Sequence, residues 1–113
     1  MRETIRDKER LIHISEAIRK LTESTAFDRV IIEDSLEYYG IGKLIEIIGE
    51  AVYKLTPEFK DSHPDTPWRQ IERMRHVLVH GYYTVGYDFI KAVIDTDVPM
   101  LDRQIQAYIS EMR

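Results

Sequence analysis

The chain has 113 residues, enough for one domain with its own core, and its 43% hydrophobic and 32% charged residues are an ordinary soluble composition. It contains no cysteine and no apolar run near the ~18 residues of a membrane span, which excludes a disulfide framework, a thiolate metal site and a transmembrane helix. A net charge of −4 argues against a stand-alone nucleic-acid binder, so any contact with phosphates has to use a local basic patch.

The opening, MRETIRDKERL, lacks an apolar stretch after its basic residues and does not read as a signal peptide. The expectation is a cytoplasmic protein with no membrane partner. From about Ile5 to Thr22, residues Leu11, Ile14, Ile18 and Leu21 recur at three- and four-residue intervals with charges between them, the period of an amphipathic helix. A longer segment, about Asp28 to Leu55, contains LIEIIGEAVYKL with the same period and is closed by Pro57. Within it Gly42 and Gly49 lie seven residues apart and share a face. Glycine costs roughly 1 kcal/mol against alanine inside a helix, so the pair points either to a close approach by another helix or to a break near Tyr39 and Gly40.

Residues 56–67, TPEFKDSHPDTP, read as the one clear loop. Thr66 or Asp65 then caps a helix from about Pro67 to His80, with Pro67 near its first turn and Gly81 as its stop. A short helix over about Asp88 to Asp95 follows. A last helix starts after Asp97, with Pro99 in its first turn, and carries Leu101, Ile105, Tyr108 and Ile109. No segment alternates with a strand period, and there is no internal repeat or low-complexity tract. Residues 1–113 are therefore read as a single all-α domain, a bundle of four or five helices.

The helix over 67–80 holds the unusual chemistry. At about 100° per residue, Arg69, Arg73, His76 and His80 fall within about 60° of one another and form a polar, cationic stripe. Opposite them Met74, Leu78 and Ile71, flanked by Val77, Trp68 and Val79, make an apolar arc of roughly 200°. So wide an arc fits a helix with one flank on its own core and another on a partner subunit. Arg75 lies inside this arc and has to snorkel, find a carboxylate or line a pocket, since burying it unpaired is costly. Glu46 and Glu50 are the candidate partners. Arg75 and His80 stand about 140° apart, so one straight helix does not aim both at the same atom. They converge if the helix loosens at Gly81 or if a second copy packs alongside, and the wide arc favours the second.

These residue types match metal-free RNA cleavage. The reaction needs a proton acceptor or donor at the 2′-hydroxyl and the leaving oxygen, which an imidazole supplies near neutral pH. It also needs a fixed cation on the phosphoryl oxygens, for which the arginine fork is suited. Arg75, His76 and His80 are the candidates, with Arg73 as a supporting group and Tyr82 able to hold a phosphate or base. Plainer readings stand beside this one. A histidine at a helix C-terminus complements the dipole, and His76 and His80 have the i, i+4 spacing of two metal ligands, although no third ligand is obvious besides His13 or His63. Arg69 and Arg73 also read as solvated surface charge, and the tyrosines as core or interface aromatics.

Arg75, His80 and Tyr82 in RHVLVHGY form an R-x-x-x-x-H-x-Y motif, and the chain resembles the HepT-like toxin family of the HEPN superfamily. The resemblance extends beyond the motif. IIGEA (Ile47 to Ala51) is similar to the family's second-helix signature. PWRQIERMRHVLVHGYY is similar to its PW-x-x-I-x-x-M-R-x-x-L-V-H-G-Y block, and DVPML to the start of its last helix. The likeness implies a HEPN bundle that dimerises through helix faces, so that motifs from two protomers form one cleft. It further implies a metal-independent ribonuclease with no cofactor that leaves a cyclic phosphate, with Arg75 and His80 catalytic. His76 stands where the family prefers a polar residue, commonly asparagine or aspartate. The implied partner is a nucleotidyltransferase antitoxin that inactivates the toxin by transferring AMP to Tyr82. The other reading is a non-catalytic module that binds nucleotide or RNA, or scaffolds the nucleotidyltransferase.

Overall fold

The computed structural model describes residues 2–25, 36–81 and 87–112. They form α1 (Arg2–Thr25), α2 (Leu36–Lys54), α3 (Pro57–Ser62), α4 (Trp68–Gly81), α5 (Tyr87–Ala92), a π-helical turn (Val93–Asp97) and α6 (Val98–Glu111), with no strand among the described residues. The class is all-α, as the periodicity predicts. Helices α1, α2, α4 and α6 carry the bundle: α1 packs against both α2 and α6, and α2 packs against α4 on its other side.

The predicted stripes are the buried ones. Leu11, Ile14, Ile18 and Leu21 of α1 meet Ile41, Ile45, Ile48 and Val52 of α2, and Leu101 and Ile105 of α6 close the same core. Burial stabilises each such side chain by about 2 kcal/mol. Helix α2 runs unbroken through Gly40 and Gly42 to Lys54, so the break considered near Tyr39 does not occur. Its expected first turns, residues 28–35, lie outside the described residues.

The stretch 56–67 is not wholly a loop. Helix α2 ends at Lys54, ahead of Pro57 as expected, but Pro57 also opens α3: the hydroxyl of Thr56 accepts the N–H of Phe59 at 3.2 Å, and proline sits in the first turn, where its missing N–H costs nothing. Asp7, buried on α1, fixes this cap by accepting both the Thr56 N–H (2.9 Å) and the Thr56 hydroxyl proton (2.7 Å). At the other end of α3, the Trp68 indole N–H is shared between the carbonyls of Lys60 (3.1 Å) and His63 (2.9 Å), which also accept the backbone N–H groups of His63 and Thr66 respectively.

Thr66 is not spent on capping α4. Its buried hydroxyl donates to Gln104 Oε1 at 2.9 Å and lies 2.6 Å from Tyr108 Oη. A hydroxyl has one proton, so Tyr108 is the donor in the second bond. The start of α4 is thereby fastened to α6, while Phe59, His63, Trp68 and Tyr108 pack their rings together around it.

The sequence predicts two separate helices, one ending near Asp95 and one starting after Asp97; α6 does begin at Val98, but with no gap before it. The helical path instead continues from α5 into α6 through the π-turn, in which the Val98 N–H reaches back to the Val93 carbonyl. Pro99 has no N–H to offer the carbonyl four residues before it, and its ring presses on that carbonyl in a tight α-turn. The wider turn just ahead of it relieves that crowding without ending the helix.

Candidate functional site

Helix α4 is held at its start by Trp68 and Thr66 and along its length by Ile71 and Leu78, all buried. Its crossing with α2 is set by Gly49, the glycine whose spacing pointed to a helix approach. A Cβ at Gly49 would lie 2.5 Å from the Cβ of Arg75 and 3.2 Å from its Cγ. The stem of Arg75 therefore lies directly on the α2 backbone, a position no larger residue at 49 would leave open.

From there the arginine is only partly covered. Its Nε is buried with no hydrogen-bond partner among the described residues, and the guanidinium carbon stands 5.6 Å from the ring centroid of Tyr53, itself 61% exposed. The expected carboxylate partners are engaged elsewhere: Glu46 pairs with Lys43 (3.6 Å) and Glu50 with Lys54 (3.3 Å), each one turn away on α2. Among the described residues Arg75 has no carboxylate partner, and its charge rests on an aromatic face. The result is a cation with donors to spare, held at a helix crossing.

His80 ends up elsewhere on α4. It is exposed, and its ring lies against His76, with centroids 4.4 Å apart and planes 53° from parallel. One imidazole can exchange a proton while its neighbour holds an anionic substrate. Arg69 and Arg73 are exposed and make no ion pair among the described residues. Glu72, the sole carboxylate of α4, is occupied by Lys60 at 2.8 Å. The cationic stripe therefore exists as predicted, but Arg75 and His80 do not touch within one protomer. Tyr82 lies outside the described residues. Val77 and Val79, 46% and 43% exposed, flank the histidines on either side, so the apolar arc does extend beyond the core. Trp68, by contrast, is buried by its own chain.

Two clefts are lined by described residues, and neither of these contains Arg75 or His80. One of about 220 Å³ is largely apolar and lies between α2, α4, the π-turn and α6, lined by Ile48, Met74, Phe89, Val93 and Leu101 among others. The second, about 160 Å³, is a groove on the α1–α2 side with Arg10, His13, Glu50 and Lys54. No three His, Asp or Glu side chains gather into a metal-holding cluster among the described residues. Of the other two histidines, His63 is held between the Phe59 carbonyl (2.9 Å) and Glu111 (3.1 Å), and His13 lies in the α1–α2 groove.

Tyr53 was not singled out by sequence reasoning. Its only signal was position: four residues after Gly49, and so about 40° from it around α2, it had to emerge beside whatever crossed at that glycine.

A family model described as Ribonuclease HepT-like matches residues 11–108. A protein of Thermococcus cleftensis named "Probable ribonuclease HepT" is 35% identical over 98 residues, 83% of this chain and 87% of its own. "Putative RNase TTE0752" of Caldanaerobacter subterraneus subsp. tengcongensis is 39% identical over 67 residues, 59% of this chain and 60% of its own length. "Putative RNase MJ0127" of Methanocaldococcus jannaschii is 29% identical over 91 residues, 80% of this chain and 74% of its own. No solved structure matches. The family match runs from the middle of α1 to Tyr108 in α6 and takes in both Arg75 and His80, and on that ground the chain belongs to the ribonuclease HepT-like family.

Proposed function

We propose that the protein is a metal-independent endoribonuclease that acts as a homodimer and serves as the toxin of a toxin–antitoxin pair. The observation that carries this reading is Arg75: a cation pinned on Gly49, facing Tyr53 and paired with no carboxylate among the described residues, five residues before an exposed histidine. A solvated structural arginine has no need of such a seat. An arginine that must meet a phosphodiester does, because its charge has to stay available and its position fixed.

In the proposed reaction, an imidazole takes the proton of the RNA 2′-hydroxyl and the freed oxygen attacks the adjacent phosphorus. The bond from phosphorus to the 5′-oxygen breaks, and that oxygen leaves with a proton. The products are a 2′,3′-cyclic phosphate and a 5′-hydroxyl. His80 moves the proton, Arg75 stabilises charge on the phosphoryl oxygens, and His76 and Arg73 steady the backbone. A second protomer packing along α4 would bring one subunit's arginine towards the other's histidine, which the separation of about 140° within one helix prevents. The exposed Val77 and Val79 beside the histidines suit such packing.

Control by a nucleotidyltransferase antitoxin belongs to the same reading. The Tyr82 hydroxyl would attack the α-phosphorus of ATP, releasing pyrophosphate and a proton and leaving AMP on the tyrosine. That phosphodiester would repel RNA from the site. Co-expression with an active antitoxin should add the mass of one AMP at Tyr82, and an unchanged mass removes this part.

The deciding experiment is cleavage of RNA by mass-verified, unmodified protein in EDTA beside His80→Ala and Arg75→Ala. Cleavage by wild type alone, with a cyclic phosphate end, is the expected result. Cleavage by all three identifies a contaminant or a site elsewhere. No cleavage by any of them leaves the other reading, a module that binds RNA or scaffolds the nucleotidyltransferase.

A further inference from the structure

We infer that Tyr53 is a positioning residue for Arg75, holding its guanidinium at the α2–α4 crossing ready for a phosphodiester; this rests on the nuclease reading above. A long arginine side chain is mobile, and fixing it during the reaction costs conformational entropy unless the fold has already done so. Two contacts do so here. Gly49 receives the Cβ and Cγ of Arg75, which fixes where the side chain leaves α4. Tyr53, one turn later on α2, offers its ring face to the guanidinium carbon at 5.6 Å. The glycine sets the base of the lever and the tyrosine its tip.

The choice of an aromatic platform matters chemically. A carboxylate at this place would also hold the arginine, but it would neutralise the charge and compete with phosphate for the same forked donors. A ring face attracts the cation through its quadrupole and uses none of its N–H groups. Glu46 and Glu50 are near enough in sequence to take that role, yet both are engaged with lysines of their own helix. Tyr53 is also 61% exposed. That is more than a packing residue needs, and Arg75 beside it is itself only partly buried.

The test is a double-mutant cycle read by binding, with cleavage alongside. Wild type, Tyr53→Leu, Tyr53→Phe, Arg75→Ala and the Tyr53→Leu/Arg75→Ala pair are titrated with a short 2′-O-methyl RNA, which lacks the attacking hydroxyl and cannot be cut. Because Tyr53 is exposed, the fold should survive, and an unchanged circular dichroism melt checks this. Tyr53→Leu should weaken binding roughly 5–10-fold and Tyr53→Phe less than about 2-fold, since phenylalanine keeps the ring face. The leucine variant should lose nothing further in the Arg75→Ala background. In cleavage, Tyr53→Leu should lower kcat more than it raises KM.

An equal loss with and without Arg75 would mean that Tyr53 meets RNA directly, and no loss at all would mean that it does neither; each overturns the inference. If wild type cuts RNA but the cycle shows no coupling, the positioning role fails alone. If the coupling is present and wild type does not cut, the nuclease reading fails alone. Absence of both binding and cleavage removes the two together.

Discussion

Gly49 and Arg75 meet with no room for a methyl group between them: a Cβ on the glycine would stand 2.5 Å from the arginine Cβ and 3.4 Å from its Cα. The obstruction is the root of the side chain, not its flexible end, so the two helices would have to part. Gly49→Ala gains about 1 kcal/mol of helix propensity but meets an overpacking cost of about 1–3 kcal/mol. Because the clash is against near-backbone atoms, the cost should prevail, leaving a net destabilisation of about 1 kcal/mol and a melting temperature lower by several degrees. The shifted arginine should lower cleavage at least ~10-fold, since an ångström of misplacement is felt strongly in catalysis. A stabilised and fully active alanine variant would contradict the close approach.

The Thr66–Tyr108 bond predicts an asymmetry. Tyr108→Phe removes one donor and leaves Thr66 bonded to Gln104, a loss of about 1 kcal/mol. Thr66→Val keeps the shape but strands the Tyr108 hydroxyl and Gln104 Oε1 together, a loss of about 2–3 kcal/mol. Urea titrations with unchanged slopes should rank them in that order. The reverse order would mean that the buried threonine is not the hub.

The two histidines of α4 should separate by role. His80→Asn should lower cleavage by ~100-fold or more, the usual worth of a proton-transfer group. His76→Asn should stay within about 5-fold, because a polar side chain there still supports the backbone of the RNA. Rate measurements on both variants check this, and a larger loss at His76 would exchange the two assignments.

Val77 and Val79 test the dimer. Both are exposed on either side of the histidines, so Val77→Glu and Val79→Glu should leave the monomer fold intact, within about 0.5 kcal/mol. If a second copy covers this face, both variants should run as monomers by light scattering and lose cleavage. Dimers that persist unchanged would place the subunit contact on another face.

Much of this was legible because α-helices declare their buried side through spacing. Leu11, Ile14, Ile18 and Leu21 could be assigned to the core without any structure, whereas the Gly42 and Gly49 pair left a helix approach and a break near Tyr39 both open until the contact at Gly49 decided it. Pro57 does follow the end of α2, but proline also begins helices, and the short helix α3 was missed; the sign of it lay in Thr56, whose hydroxyl caps forward while Asp7 holds it from 49 residues upstream. The partner of Arg75 was misread for a related reason. Glu46 and Glu50 lie on the helix that Arg75 packs against, but each is paired with a lysine one turn away on that helix, and Glu50 lines the α1–α2 groove. Tyr53 carried no motif at all, and its role depends on which helix crosses at Gly49.

The contact between α1 and α6, where the Gln106 side-chain amide donates a hydrogen bond to Ser15 Oγ at 2.7 Å, has a kinetic consequence. Ser15 and Gln106 are 91 residues apart. As the chain is synthesised, α1 emerges with its apolar stripe half covered at best, since α2 shields one flank and α6 is made far later. Folding should therefore wait for α6, with a rate set by that long-range closure more than by the fast formation of the helices themselves. A nascent chain stalled before α6 would show a sticky stripe to chaperones. If the nuclease site also needs a second copy, activity has to wait until α6 has been made and two such chains have met.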